Sequence, residues 1–192
     1  MVRRNGDGKL AIREGKMVGE VVALNTNKKG EKAEEKSPEM QKFLRFQLGG
    51  SDLCLLPTEG VLQVLQIEIE HILPVPQMPG CVMGVYNWRG DLLWLVDFPH
   101  LVGLPPLLSE DVNLTSRTTV VVRLNNKLMG LVVDRVEDIE ERDLGEMQPL
   151  AAGLFSSELL EFLQGYFVTD DLKMLMVFEA EAVLNSPVWQ RG

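Results

Sequence analysis

The sequence predicts a mostly β fold of small antiparallel barrels or a sandwich, and three observations carry that expectation. Four pairs of apolar runs between Phe43 and Phe178 are each joined by a short reversal. The reversals hold Gly, Asn or Asp, the residues that tolerate the positive φ of tight hairpin turns. Helical periodicity is sparse, as in all-β domains with evenly spaced short strands.

In chain order, Phe43-Leu44-Arg45-Phe46-Gln47-Leu48 leads through Gly49-Gly50-Ser51-Asp52 into Leu53-Cys54-Leu55-Leu56. Residues 82–88 reverse at Arg89-Gly90-Asp91 into 92–98, and 118–124 reverse at Asn125-Asn126 into 128–133. Tyr166-Phe167-Val168 passes through Thr169-Asp170-Asp171 into 172–178. Residues 156–163 carry the one extended helical pattern, opened by Ser156 as N-cap. A short helix over 180–184 stops before Pro187. Leu104-Pro105-Pro106-Leu107 starts a polar connection that suits a crossover between two subdomains. Strand alternation across the second hairpin places Trp88 and Trp94 on one face. Glu137-Asp138-Ile139-Glu140-Glu141 reads as a solvated strand or turn.

Charge divides the chain. Residues 1–42 carry 10 basic and 7 acidic residues, a net of +3, against 9 and 21, a net of −12, in 43–192. The stretch 25–42 is polar and nearly free of large apolar residues, so 1–42 reads as a flexible charged tail. The folded unit is expected over 43–185, with 186–192 as a second tail. A body this acidic repels phosphate backbones and anionic lipid, which argues against nucleic acid and membrane surfaces as partners. No apolar run reaches the length of a membrane helix, and Gly15, Lys16, Gly19 and Glu20 interrupt the only segment that could follow Arg3-Arg4 as an export signal. A cytoplasmic protein is expected, with Cys54 and Cys81 as buried free thiols. His71 and His100 lack a second ligand at metal-binding spacing, and no phosphate loop, nucleophile elbow or carboxylate pair can be read. An enzyme has no residues to rest on, and no cofactor is expected.

The most specific segment is Gly84-Val85-Tyr86-Asn87-Trp88-Arg89-Gly90-Asp91-Leu92-Leu93-Trp94-Leu95-Val96-Asp97-Phe98. Its glycine, Asn-x-Arg-Gly turn, apolar strand and apolar-Asp-apolar end resemble chemotaxis coupling proteins of the CheW-like kind. Phe43-Leu44-Arg45-Phe46-Gln47-Leu48-Gly49, Pro74-Val75-Pro76, Gly130-Leu131-Val132-Val133-Asp134 and Gly165 fall in the order that family shows. The chain departs from it at Val61-Leu62-Gln63-Val64, where a glutamate is usual in place of Gln63, and at Trp94, where proline is usual. Tryptophan at 88 and 94 resembles variants tied to pilus-driven surface motility.

The resemblance implies two five-stranded SH3-like barrels packed together and an adaptor between chemoreceptors and a histidine kinase. The implied partners are the regulatory domain of that kinase and the cytoplasmic tip of a receptor, held in arrays at the membrane through those partners. Partner contacts are expected at Arg89, Asn87, Gly90, Val61, Gln63, Val64 and Val133. Hairpin content alone also fits a small oligonucleotide- or peptide-binding barrel, against which the acidic body argues for nucleic acid. Removal of residues 1–40 is expected to leave the fold intact. Chemical denaturation showing a loss above about 2 kcal/mol would place Met17-Val18-Gly19-Glu20-Val21-Val22-Ala23-Leu24 against the body instead.

Overall fold

The computed structural model describes residues 37–50, 52–107, 115–151 and 153–186. The expected tails lie outside the described residues up to Lys36 and from Pro187, as does most of the connection after Leu107. Ten strands form two five-stranded sheets. They are β1 (Met40–Gln47), β2 (Leu53–Pro57), β3 (Val61–Glu68), β4 (Val82–Trp88), β5 (Asp91–Asp97), β6 (Ser116–Leu124), β7 (Lys127–Val133), β8 (Arg135–Asp143), β9 (Leu163–Val168) and β10 (Met174–Phe178). Short helices α1 (Phe98–Leu101), α2 (Ser157–Leu160) and α3 (Ala180–Leu184) follow β5, precede β9 and follow β10.

The first sheet runs β8-β1-β2-β10-β9 and the second β3-β6-β7-β5-β4. The two have the same topology, with the chain entering at different points. The second sheet uses five consecutive strands; the first borrows the opening hairpin β1–β2 and completes itself with β8–β10. In each, an antiparallel hairpin pairs in parallel with the last strand of a second hairpin: β2 with β10, and β7 with β5. Even the irregularities repeat. Val61, Gln63 and Val64 face Val122, Val121 and Val120, as Val136, Asp138 and Ile139 face Phe46, Arg45 and Leu44, so β3 bulges at Leu62 and β8 at Glu137.

Each sheet then curls until its ends meet. A single 3-10 turn follows β3 at Ile69–His71 and β8 at Leu144–Glu146. The next residues bridge to the far edge strand: Leu73 to Val85, and Gln148 to Tyr166. The residue before each bridged partner is a glycine. A Cβ at Gly84, whose φ is +144°, would lie 2.3 Å from the Leu73 oxygen, and one at Gly165 would lie 2.8 Å from the Gln148 oxygen. Glycine lets the backbones approach closely enough to close the curl.

Three apolar clusters fill the molecule. The first sheet encloses Phe43, Leu55, Phe167, Leu175 and Val177; the second encloses Ile67, Trp88, Leu93, Leu95, Val121 and Val132. The largest draws on both sheets and all three helices, with Leu44, Phe46, Leu56, Val120, Val122, Leu131, Phe98 and Phe178 among its members. Strands such as β6 and β7 are therefore buried on both faces, which explains why they read as continuous apolar runs. Cys54 and Cys81 are free thiols in the shared core, and burial raises the pKa of both.

Several expectations shift. Pairing of Met40, Gln41 and Lys42 with Asp143, Arg142 and Glu141 starts the folded unit ahead of Phe43. The helix expected over 156–163 is one turn, α2, capped by Ser156 Oγ accepting from the Leu159 N–H; Leu163 already belongs to β9 because its apolar side chain is needed in the shared core. The acidic stretch at 137–141 lies in β8 and is mostly exposed, as expected of a solvated strand, but two of its acids are paired. Arg45 holds Glu137 at 2.7 Å and Glu140 at 2.9 Å, and Arg142 reaches Glu140 at 2.9 Å. The Arg45 pairs cross from β1 to β8 and help fix the register of a strand whose apolar content is too low to fix it by burial.

Gly84→Ala is expected to destabilise the fold by about 2–4 kcal/mol, since the methyl meets backbone that cannot move without opening the curl. Thermal melting that matches the unsubstituted protein would show that the closure is not needed.

Candidate functional site

The hairpin of β4 and β5 turns over two residues, Arg89 and Gly90, between the paired Trp88 and Asp91. Both central residues have positive φ, +55° and +91°, the signature of a type I′ turn whose twist suits the flanking strands. Asn87 Oδ1 accepts from the Gly90 N–H at 3.0 Å and locks the turn. Arg89 is exposed, with its guanidinium 4.9 Å from the centroid of the Trp88 ring. Its Nη2 donates to Gln63 Oε1 at 2.8 Å. The turn therefore fixes the arginine, and strand β3 supplies the acceptor that aims it.

Register explains which predicted residues meet. Gln63 faces Val121, whose side chain belongs to the interior of the second sheet, so Gln63 sits at the mouth of that barrel beside Arg89. The bulge turns Val61 and Val64 together onto the opposite face, opposite Val122 and Val120 of the shared core. Val61 is half-buried against that core, whereas Val64 is 39% exposed. Arg89, Asn87, Gly90 and Gln63 thus form one cluster, with Val61 and Val64 around the strand from it. Val133 does not join them. It is 1% exposed within the shared core, because β7 is central in its sheet and covered on both faces. As a contact residue it is corrected to a packing residue.

The structure adds neighbours that the sequence did not single out. Leu62, in the bulge of β3, and Leu92, beside the turn, are 45% and 59% exposed. Arg123, at the end of β6, donates its backbone N–H to the Gly60 oxygen at 2.7 Å and holds Asp91 at 4.0 Å. Their placement depends on strand register and a bulge, which leave no mark in the sequence.

Trp88 and Trp94 also separate. Because Trp88 pairs with Asp91 across a two-residue turn, it shares a face with Leu93 and Leu95. Trp94 pairs with Val85 on the other face and lines a cavity of about 420 Å³ with Met78, Leu128, Met129 and Leu184. The parity that placed them together fails because the turn itself shifts it. A larger apolar groove, about 530 Å³, is lined by Leu53, Leu104, Leu154, Phe155, Leu159 and Met176 among others. None of the residues expected to contact partners lines it.

Asp97, from the apolar-Asp-apolar end of the motif, is 2% exposed. One carboxylate oxygen accepts from the His100 N–H at 3.1 Å, capping α1, and the other from the Leu107 N–H at 2.9 Å. Buried Arg117 donates to the Leu107 oxygen at 3.1 Å. The aspartate and arginine thereby clamp both sides of the chain leaving α1, which is a structural task. Among the described residues no three His, Cys, Asp or Glu side chains are placed to hold a metal ion, and no helix is long and apolar enough to cross a membrane.

Comparison with known proteins gives a consistent result. The family model described as the CheW-like domain matches residues 42–188. The chain is 26% identical over 151 residues to the chemotaxis protein CheW of Rhizobium meliloti, covering 76% of this chain and 88% of the relative. It is 29% identical over 115 residues to protein FrzA of Myxococcus xanthus, covering 59% of this chain and 66% of that one. The crystal structure of the scaffolding protein TtCheW from Thermoanaerobacter tengcongensis is similar in fold, at a TM-score of 0.64 and 21% identity over 77% of this chain and 94% of that one.

Asp97→Ala leaves two backbone donors, that of Leu107 buried, without their acceptor and is expected to cost about 2–4 kcal/mol. Denaturant titration would check it, and a loss below about 1 kcal/mol would mean that the clamp is dispensable.

Proposed function

Because the chain belongs to the CheW-like domain family, we propose that it couples chemoreceptors to a histidine kinase through the surface around Arg89. It is a chemotaxis-type signal-transduction adaptor, and the observation that carries this is the family match across the described β body from Lys42 onward. The similarity to relatives named as chemotaxis proteins supports the same reading. Its work is binding: an adaptor shifts a kinase between states only by favouring one arrangement of its partners. The partners proposed are the cytoplasmic tip of a receptor and the regulatory domain of the kinase.

The Arg89 turn suits the task physically. A side chain already held by a tight turn, an aromatic ring and an amide loses little further entropy on docking. Arginine anchors are a common component of interface hot spots, and the same hairpin and β3 also expose Leu92 and Leu62.

Arg89→Ala is expected to change stability by less than about 1 kcal/mol, since the side chain is exposed, and to weaken binding to receptor fragment or kinase by about 1–3 kcal/mol. Arg89→Glu should weaken it further. Melting temperature and pull-down affinity measured on the same samples decide the matter. A lower melting temperature with unchanged affinity of the folded fraction would make Arg89 a scaffold residue. The purified chain is expected to show no ATP turnover, and measurable hydrolysis would end the adaptor reading.

A further inference from the structure

We propose that the segment 187–192 folds back after α3 and seats the indole of Trp189 in the cavity lined by Trp94, Met78, Leu128, Met129 and Leu184. The seated ring closes the shared core where its apolar side chains would otherwise meet water.

The cavity encloses about 420 Å³, and Lys127 is the one charged residue among those lining it. Met129 and Leu184 belong to the shared core and are 6% and 2% exposed. Trp94 and Met78 are half-buried and join none of the three apolar clusters formed by the described residues. The shared core thus continues outward into an apolar wall that the described residues leave uncovered. Removing such a concave apolar surface from water is favourable, and its size suits a bulky ring.

The place where the chain leaves the cavity names the occupant. Lys127 Nζ donates to the Leu184 oxygen at 3.4 Å and to Asn185 Oδ1 at 2.6 Å, which ties the end of α3 to a lining residue. Ser186, the last described residue, is 3% exposed. Pro187 has no N–H with which to prolong α3, and Val188-Trp189 follow it. Trp189 lies three residues beyond Ser186, a reach of about 10 Å for extended chain. So short a connection adds little closure entropy to the docking.

Side-chain chemistry agrees. Trp189 is the only aromatic residue outside the described ones, and burying an indole removes more apolar surface than any other side chain in 187–192. The Met78 and Met129 thioethers and the Trp94 ring are favourable neighbours for it, and the Lys127 ammonium suits the face of its π system. The larger groove beside Leu53, Phe155 and Met176 draws no lining residue from α3, so the chain does not arrive there.

The full chain would be compared with its Trp189→Ala variant and with a chain ending at Ser186, by thermal melting and by the ε-methyl NMR signals of the methionines. Either loss of the ring is expected to lower the melting temperature by about 3–6 °C. The Met78 and Met129 methyl signals should move, while those of Met40 and Met147, which belong to the first sheet and its interior, stay in place. Met78 and Met129 signals unchanged in both variants overturn the proposal, whatever happens to the melting temperature. Shifts that the full chain shows only at raised concentration, with a doubled mass in light scattering, place the ring of a second copy in the cavity and overturn the fold-back within one chain.

Discussion

The apolar layer shared by the two sheets is the constraint on which the rest of the structure depends. Phe46 and Phe178 from the first sheet meet Phe98 from the end of the second, with ring centroids 4.9–6.2 Å apart. All three are buried to within 1% of complete, and aromatic cores of this kind contribute about 3–5 kcal/mol per ring when measured by truncation. Because Phe98 opens α1 directly after Asp97, packing of the ring and capping by the carboxylate fix the same point of the chain. That point sets where β5 ends, and so where the β4–β5 hairpin projects its turn.

The repeated topology shows which features the architecture demands and which are free. Both sheets keep the bulge in the leading strand, the 3-10 turn, the closing bridge and the glycine before it. Side chains at matching places are not kept. Leu65 and Ile67 line the interior of the second sheet, where Glu140 and Arg142 stand at corresponding strand positions in the first. One sheet is held by apolar burial and the other partly by ion pairs. The second can therefore spend its mouth residues, Gln63, Arg89 and Arg123, on a surface that remains charged.

Rigidity links this architecture to coupling. A two-residue turn with both φ values positive tolerates few backbone alternatives, and its Asn87 cap removes more. Signals between partners pass through an adaptor only if its surfaces keep fixed positions relative to one another. Here the shared core joins the sheets into one body from Met40 to Leu184.

The amino-acid sequence by itself determined the β class, the four hairpins and the buried thiols, since turn residues and alternating or continuous apolar runs are local signals. Ordered motifs also identified the family and singled out Arg89, Asn87 and Gly90, which sit on one turn and need no long-range information. Partition of strands between sheets was decided only in the tertiary structure, because β1–β2 joins β8–β10 across the whole intervening chain. Val133 changed role and Trp94 changed face for the same reason. Whether a strand residue faces core or solvent depends on its neighbours in the sheet and on bulges and turn lengths that shift parity. The meeting of Gln63 with Arg89 belongs to this second kind: two residues on different hairpins become partners only when the curl of the sheet brings its edges round.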